Sequence, residues 1–254
     1  MIFAVWGLAA SECSPGQDAG PSPPQAAARA DERELDRRRQ RLVEEILRRE
    51  PEIRGTLVEK ALRRVPRHRF VPPAWRELAY LDQPLPIGEG QTISQPSLVA
   101  LMTRLADPQP GERALDVGTG SGYQAALLAE IVGQVESIEI VPALAEQARE
   151  RLRSLGYTNV RVHTGDGFRG RPEQAPFDLI IVAAATPEIP PPLVEQLAPG
   201  GRLVLPLGDP SGFQDLVVVE KKPDGKVERR VVTQVRFVPM TGEARERRRG
   251  KPKE

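Results

Sequence analysis

Apolar and polar positions along the chain follow two different patterns, with the change near residue 112. Upstream, Leu35, Leu42, Val43, Ile46 and Leu47 recur on one helical face among charged residues. Asp31 and Glu34 have capping-box spacing, so the folded part and its first amphipathic helix are expected to start near residue 31. A second helix is predicted from Glu52 to Arg64, with Leu57, Val58, Ala61 and Leu62 facing inward and Pro66 stopping it. Pro66 to Trp75 reads as compact and irregular. Tyr80 to Pro96 has no clear period and contains Pro84, Pro86, Gly88 and Gly90, which predicts a long surface loop of the kind that often carries function.

From Glu112 onward, short apolar runs alternate with helical ones: Ala114 to Val117, Gln124 to Ile131, Val135 to Ile140 and Ala143 to Leu155. Further apolar runs at Val160 to His163, Leu179 to Ala185 and Leu203 to Leu207, with a crossover helix around Leu193 to Leu197, extend this βαβα order. The fold class that follows is α/β, a doubly wound and mostly parallel sheet. After Gly208, Leu216 to Glu220 and Val231 to Val238 flank a Pro223-Asp224-Gly225 turn and predict an antiparallel C-terminal hairpin at the sheet edge. The expected organisation is a signal-like or disordered Pro-rich segment over 1–30, one domain over 31–242, and a charged, disordered tail over 243–254.

Composition removes several chemistries. A formal net charge of +1 gives no basic field to draw in nucleic acid. Cys13 is the only cysteine, which excludes an intrachain disulfide and a cysteine metal cluster. With only His68 and His163 beside it, no metal site is expected, and both histidines are read as structural or surface residues. Ile2 to Ala10 is apolar, yet no Lys or Arg precedes it and Glu12 stands directly before Cys13, so export is the alternative expectation rather than the first. No run is long enough to span a membrane.

The chemistry-bearing motif is Asp116-Val117-Gly118-Thr119-Gly120-Ser121-Gly122, at the end of a predicted strand and the start of a predicted helix. Its glycines, Gly118 and Gly120 among them, permit a tight turn and close approach of a ligand to the backbone. The third glycine comes one residue too early for the dinucleotide fingerprint. Glu139 stands at the end of the next strand, where a carboxylate can accept both ribose hydroxyls, and Asp166 with Gly167 follows the strand after that. A negative Asp116 repels a pyrophosphate and attracts the cationic sulfonium and amino groups of S-adenosylmethionine, which makes that the expected cofactor.

The segment Pro86-Ile87-Gly88-Glu89-Gly90-Gln91-Thr92-Ile93-Ser94-Gln95-Pro96 resembles the signature loop of the protein-L-isoaspartate O-methyltransferase family. Val65-Pro66-Arg67, Phe70-Val71-Pro72, Gly165-Asp166-Gly167, Ala175-Pro176-Phe177-Asp178 and Leu197 to Leu203 are similar to other stretches of that family, in the same order. Over about residues 40 to 242 the resemblance implies a Rossmann-like class I methyltransferase fold, S-adenosylmethionine as methyl donor, and damaged proteins carrying isoaspartyl residues as partners. It implies Ser94 as the catalytic residue, its hydroxyl bonded to the acceptor carboxylate, with Thr92 shaping the same substrate-binding loop. The family commonly has Thr or Gly at the position of Ala183 and Ala at that of Thr186, and both departures exchange small residues for small ones. The alternatives are a same-fold methyltransferase acting on a small molecule or RNA, or a binding module without catalysis. The need for S-adenosylmethionine makes the cytoplasm the expected compartment. A monomer is the expected form.

Overall fold

Residues 23–249 of the chain are described by a computed structural model, with side chains over 31–247. The apolar start, residues 1–22, and the last residues, 250–254, lie outside the described residues. Helix α1 (Pro23–Arg49) begins well before the expected start at Asp31. Ala26, Ala27, Ala28 and Ala30 are strong helix formers and carry the helix back past the capping pair. From Leu35 on, its apolar stripe of Leu42, Val43, Ile46 and Leu47 is buried as the spacing requires.

The second expected helix is shorter than its pattern. Gly55 has a φ of +79°, which ends a 3-10 turn at Pro51–Ile53 and sets α2 to Leu57–Arg64. Thr56 caps α2, accepting from the Glu59 N–H, while Glu59 accepts from the Gly55 N–H at 2.6 Å. The irregular stretch after Pro66 is built of 3-10 turns at Arg67–Arg69 and Pro73–Leu78. Fully buried Arg67 ties them together, donating to the Ala79 and Gln83 carbonyls with its guanidinium 5.0 Å from the Tyr123 ring centre.

The stretch expected as a long surface loop is a hairpin, β1 (Leu85–Gly88) against β2 (Gln91–Ile93). Leu85, Ile87 and Ile93 are buried, so the segment is tied to the core rather than laid over it. It leads into α3 (Pro96–Ala106), which has Pro at its first position.

The remaining elements are β3 (Arg113–Val117), α4 (Tyr123–Ala129), β4 (Gln134–Glu139), α5 (Pro142–Ser154), β5 (Val160–Thr164), β6 (Phe177–Val182), α6 (Pro191–Glu195), β7 (Leu197–Leu207), β8 (Gln214–Lys221), β9 (Val227–Val235) and α7 (Glu243–Arg249). The sheet runs β5-β4-β3-β6-β7-β8-β9, with β5 to β7 mutually parallel and both pairings of β8 antiparallel. The doubly wound class with its antiparallel C-terminal hairpin is therefore borne out. Strand residues alternate between two cores: Ala114, Leu179, Ile181, Val204 and Val218 feed one, Leu115, Ile180, Val182, Leu203 and Val217 the other. Burial on both faces is why these strands read as continuous apolar runs.

The C-terminal segment corrects the expected disordered tail as far as residue 249. Its helix α7 buries Ala244, pairs Arg247 with Glu243 and Glu188, and sets the Arg247 guanidinium 4.8 Å from the Phe168 ring centre. Before α7, Ala185 exchanges backbone hydrogen bonds with Val238 and Met240, so this segment is drawn back to the end of β6. Among the described residues, no helix is long and apolar enough to cross a membrane, and no group of three His, Cys, Asp or Glu could hold a metal ion.

Candidate active site

The strand order reverses between β3 and β6, and in open α/β sheets ligands bind beyond the carboxyl ends of strands at such a switch point. A cleft with an empty volume of about 1010 Å³, open to solvent at its mouth, lies there. The glycine loop after β3 forms its floor: Gly118 and Gly120 have φ of +92° and +51°, and the Gly118 and Thr119 N–H groups both donate to the Ile138 carbonyl at the end of β4. Gly167 reaches the wall because it lacks a side chain, since a Cβ there would stand 2.5 Å from Val117 Cγ1.

The acids expected at the cofactor separate into two groups. Glu139 lines the cleft, accepting from the Gly120 N–H at 2.8 Å through Oε2 and from the Val141 N–H at 3.0 Å through Oε1. A carboxylate has about four acceptor positions, so one on each oxygen remains for a ligand's hydroxyls. Asp116 and Asp166 stand one step behind the wall. Fully buried Asp116 accepts from Ser137 Oγ at 2.7 Å, and Ser137 is in turn 2.6 Å from Thr119 Oγ1, which does line the cleft. Burial pushes the Asp116 carboxyl up to about 7, partly offset by the Ser137 hydrogen bond, so the full negative charge expected of it is not held at neutral pH. Asp166 accepts from the N–H groups of Phe168 and Glu243, tying the start of α7 to the end of β5.

Thr92 in β2 and Ser94 just after it line the same cleft. Among the described residues neither hydroxyl has a hydrogen-bond partner, so the loop does not use them to satisfy its own backbone. The two histidines lie elsewhere: His68 Nδ1 is 2.6 Å from the Tyr80 hydroxyl, and His163 pairs with Glu136.

Part of the wall was not legible in the sequence. Phe237 to Thr241 line the cleft from the C-terminal segment, and no motif marks them; long-range bonds to Ala185 and Gln214 bring them there. Met102 and Val99 come from α3.

A family described as protein-L-isoaspartate(D-aspartate) O-methyltransferase matches residues 37–245. The chain belongs to this family. Members it resembles include a protein-L-isoaspartate O-methyltransferase of Aeropyrum pernix, 56% identical over 209 residues, covering 81% of this chain and 80% of that one. Another, from Archaeoglobus fulgidus, is 51% identical and covers 83% of this chain and 95% of its own. A solved protein-L-isoaspartate O-methyltransferase superposes with a TM-score of 0.74 at 31% identity, over 83% of this chain and 69% of that chain. A putative isoaspartate methyltransferase of Plasmodium falciparum, solved in complex with S-adenosyl-L-homocysteine, superposes with a TM-score of 0.67 at 28% identity, over 79% of this chain and 96% of that one. The family match spans the hairpin with Thr92 and Ser94, the glycine loop, and the C-terminal wall of the cleft together.

Proposed function

We propose that the cleft holds S-adenosylmethionine against the glycine loop and Glu139, and that Ser94 orients the α-carboxylate of an isoaspartyl residue for methylation. The observation that carries this is the pair of unpartnered hydroxyls, Thr92 and Ser94, lining one cleft together with the glycine loop and Glu139. The cleft suits the cofactor: Glu139 keeps free acceptor positions, and Val117, Ile138 and Val141 offer apolar surface to a base. Gly118, Gly120 and Gly167 allow backbone approach, while Asp116 and Asp166 act from behind by fixing the loop and the C-terminal segment.

When bound, S-adenosylmethionine supplies a methyl group whose bond to a positively charged sulfur breaks as the acceptor oxygen attacks. The acceptor is an α-carboxylate with a pKa of roughly 3.5, ionised at neutral pH, so no residue of the chain has to remove a proton. Ser94 donates one hydrogen bond to that carboxylate and Thr92 shapes the loop that presents it. Holding the acceptor in line in this way can supply roughly 7 to 11 kcal/mol of a barrier. Phe237 and Met240, both largely buried, add apolar surface to the wall of the cleft. The need for S-adenosylmethionine supports a cytoplasmic site of action.

Methyl transfer from labelled S-adenosylmethionine to an isoaspartyl peptide and its aspartyl twin tests the reading. The isoaspartyl peptide alone should be labelled, and Ser94→Ala should lower kcat about 10- to 100-fold, the loss of one hydrogen bond to a charged group, while cofactor affinity stays within about twofold. Cofactor binding with neither peptide labelled would overturn it.

A further inference from the structure

A second depression adjoins the cleft and shares Thr92, Ser94, Ala183, Phe237 and Val238 with it. Beyond these it is walled by Pro84, Gln95, Leu98 and Pro210, and Arg236 is the one charged residue lining it. Arg236 directly follows β9; its neighbours Val235 and Phe237 are buried while Arg236 itself is exposed. Among the described residues Arg236 has no ion pair or hydrogen bond, in contrast to Arg202, which pairs with Asp107 and Glu112, and Arg63, which pairs with Glu44 and Glu59. The fold leaves this guanidinium unused on an otherwise uncharged groove that runs from the proposed acceptor position.

We propose that Arg236 makes this protein favour isoaspartyl sites with an aspartate or glutamate close by in the substrate chain, its guanidinium pairing the neighbouring carboxylate while Ser94 holds the reacting one. The inference rests on the reading of Ser94 above. Two substrate carboxylates fit the placement and one does not. In-line transfer confines the reacting oxygen to the wall that groove and cleft share, and Arg236 lies on the groove but not on the cleft. A guanidinium on the nucleophile itself would also lower its electron density, whereas one on a flanking acid only fixes the peptide in place. Because the pair is exposed, its contribution is modest, about two- to fivefold in binding, and salt weakens it.

The test compares isoaspartyl peptides bearing Glu or Gln on either side of the isoaspartyl residue, with the wild type, Arg236→Gln and Arg236→Lys, at low salt and in 1 M salt. The wild type should prefer a Glu peptide about two- to fivefold in kcat/KM, expressed in KM, and lose the preference in 1 M salt. Arg236→Gln should abolish the preference while leaving the Gln peptide unchanged, and Arg236→Lys should keep part of it. An equal loss on both peptides with Arg236→Gln would place the guanidinium on the reacting carboxylate and overturn the inference. A wild type that labels both peptides without preference overturns this inference alone. One that labels neither overturns the acceptor assignment and this inference with it.

Discussion

Asp116 has no exposed surface, and burial pushes its carboxyl from an ordinary 3.8 up to about 7 against the opposing hydrogen bond of Ser137. The sign of the consequence follows from where the proton sits. Below 3.8 both folded and unfolded chains hold it; between 3.8 and about 7 the unfolded chain releases it and the folded chain keeps it, so stability falls as pH rises; above 7 neither holds it and the loss is complete. Urea unfolding of the wild type and Asp116→Asn from pH 4 to 8 should show the wild type losing ground at on the order of 1 kcal/mol per pH unit up to about 7, then running parallel. A constant difference across the range would mean that the folded chain does not retain the proton. Of the two positions read from the sequence as departures from the family pattern, Ala183 lines both the cleft and the groove, while Thr186 is buried with its hydroxyl on the Pro206 carbonyl. Only the first of them lines the cleft.

At the scale of elements, the C-terminal segment is fastened to the sheet at three points, by Gln214 in β8, by Ala185 after β6 and by Asp166 after β5. Asp166→Ala leaves the N–H groups of Phe168 and Glu243 without their acceptor, a loss comparable to that of a helix cap at about 1 kcal/mol. Hydrogen exchange of amides 242–247 should quicken about fivefold, and S-adenosylhomocysteine should bind more weakly because Phe237 to Thr241 belong to the same segment. Unchanged exchange in the variant would show that the segment is held by α7 packing alone. The β1–β2 hairpin is the other element that matters, since it presents Thr92 and Ser94 from a rigid base of Leu85, Ile87 and Ile93. Its apolar residues are too few and too interrupted by Pro and Gly to show a period of two, so the sequence reads as loop where the structure has strands.

For the whole molecule, a ligand that binds only the folded chain stabilises it by mass action. S-adenosylhomocysteine at about 100 times its Kd should add about 2.7 kcal/mol, read as a rise in Tm by calorimetry. At that same concentration Glu139→Gln should show a clearly smaller rise, since the amide replaces one acceptor oxygen with a donor. Equal rises would remove Glu139 from the cofactor site. The sequence by itself determined the elements whose signals are local: strands β3 to β6 as apolar runs, α4 and α5 between them, the glycine turn, and Glu139 at a strand end. It also carried the Thr92 and Ser94 positions, because a contiguous motif needs no tertiary contact to be read. Only the tertiary structure decided that the Tyr80 to Pro96 stretch pairs with itself, that residues 237–241 return to line the cleft, and that Asp116 and Asp166 bond to protein groups behind its lining. The reason is that burial and long-range hydrogen bonding are properties of what lies opposite a residue, and a side chain at a strand end faces ligand or neighbour according to packing that its own neighbours in sequence do not encode.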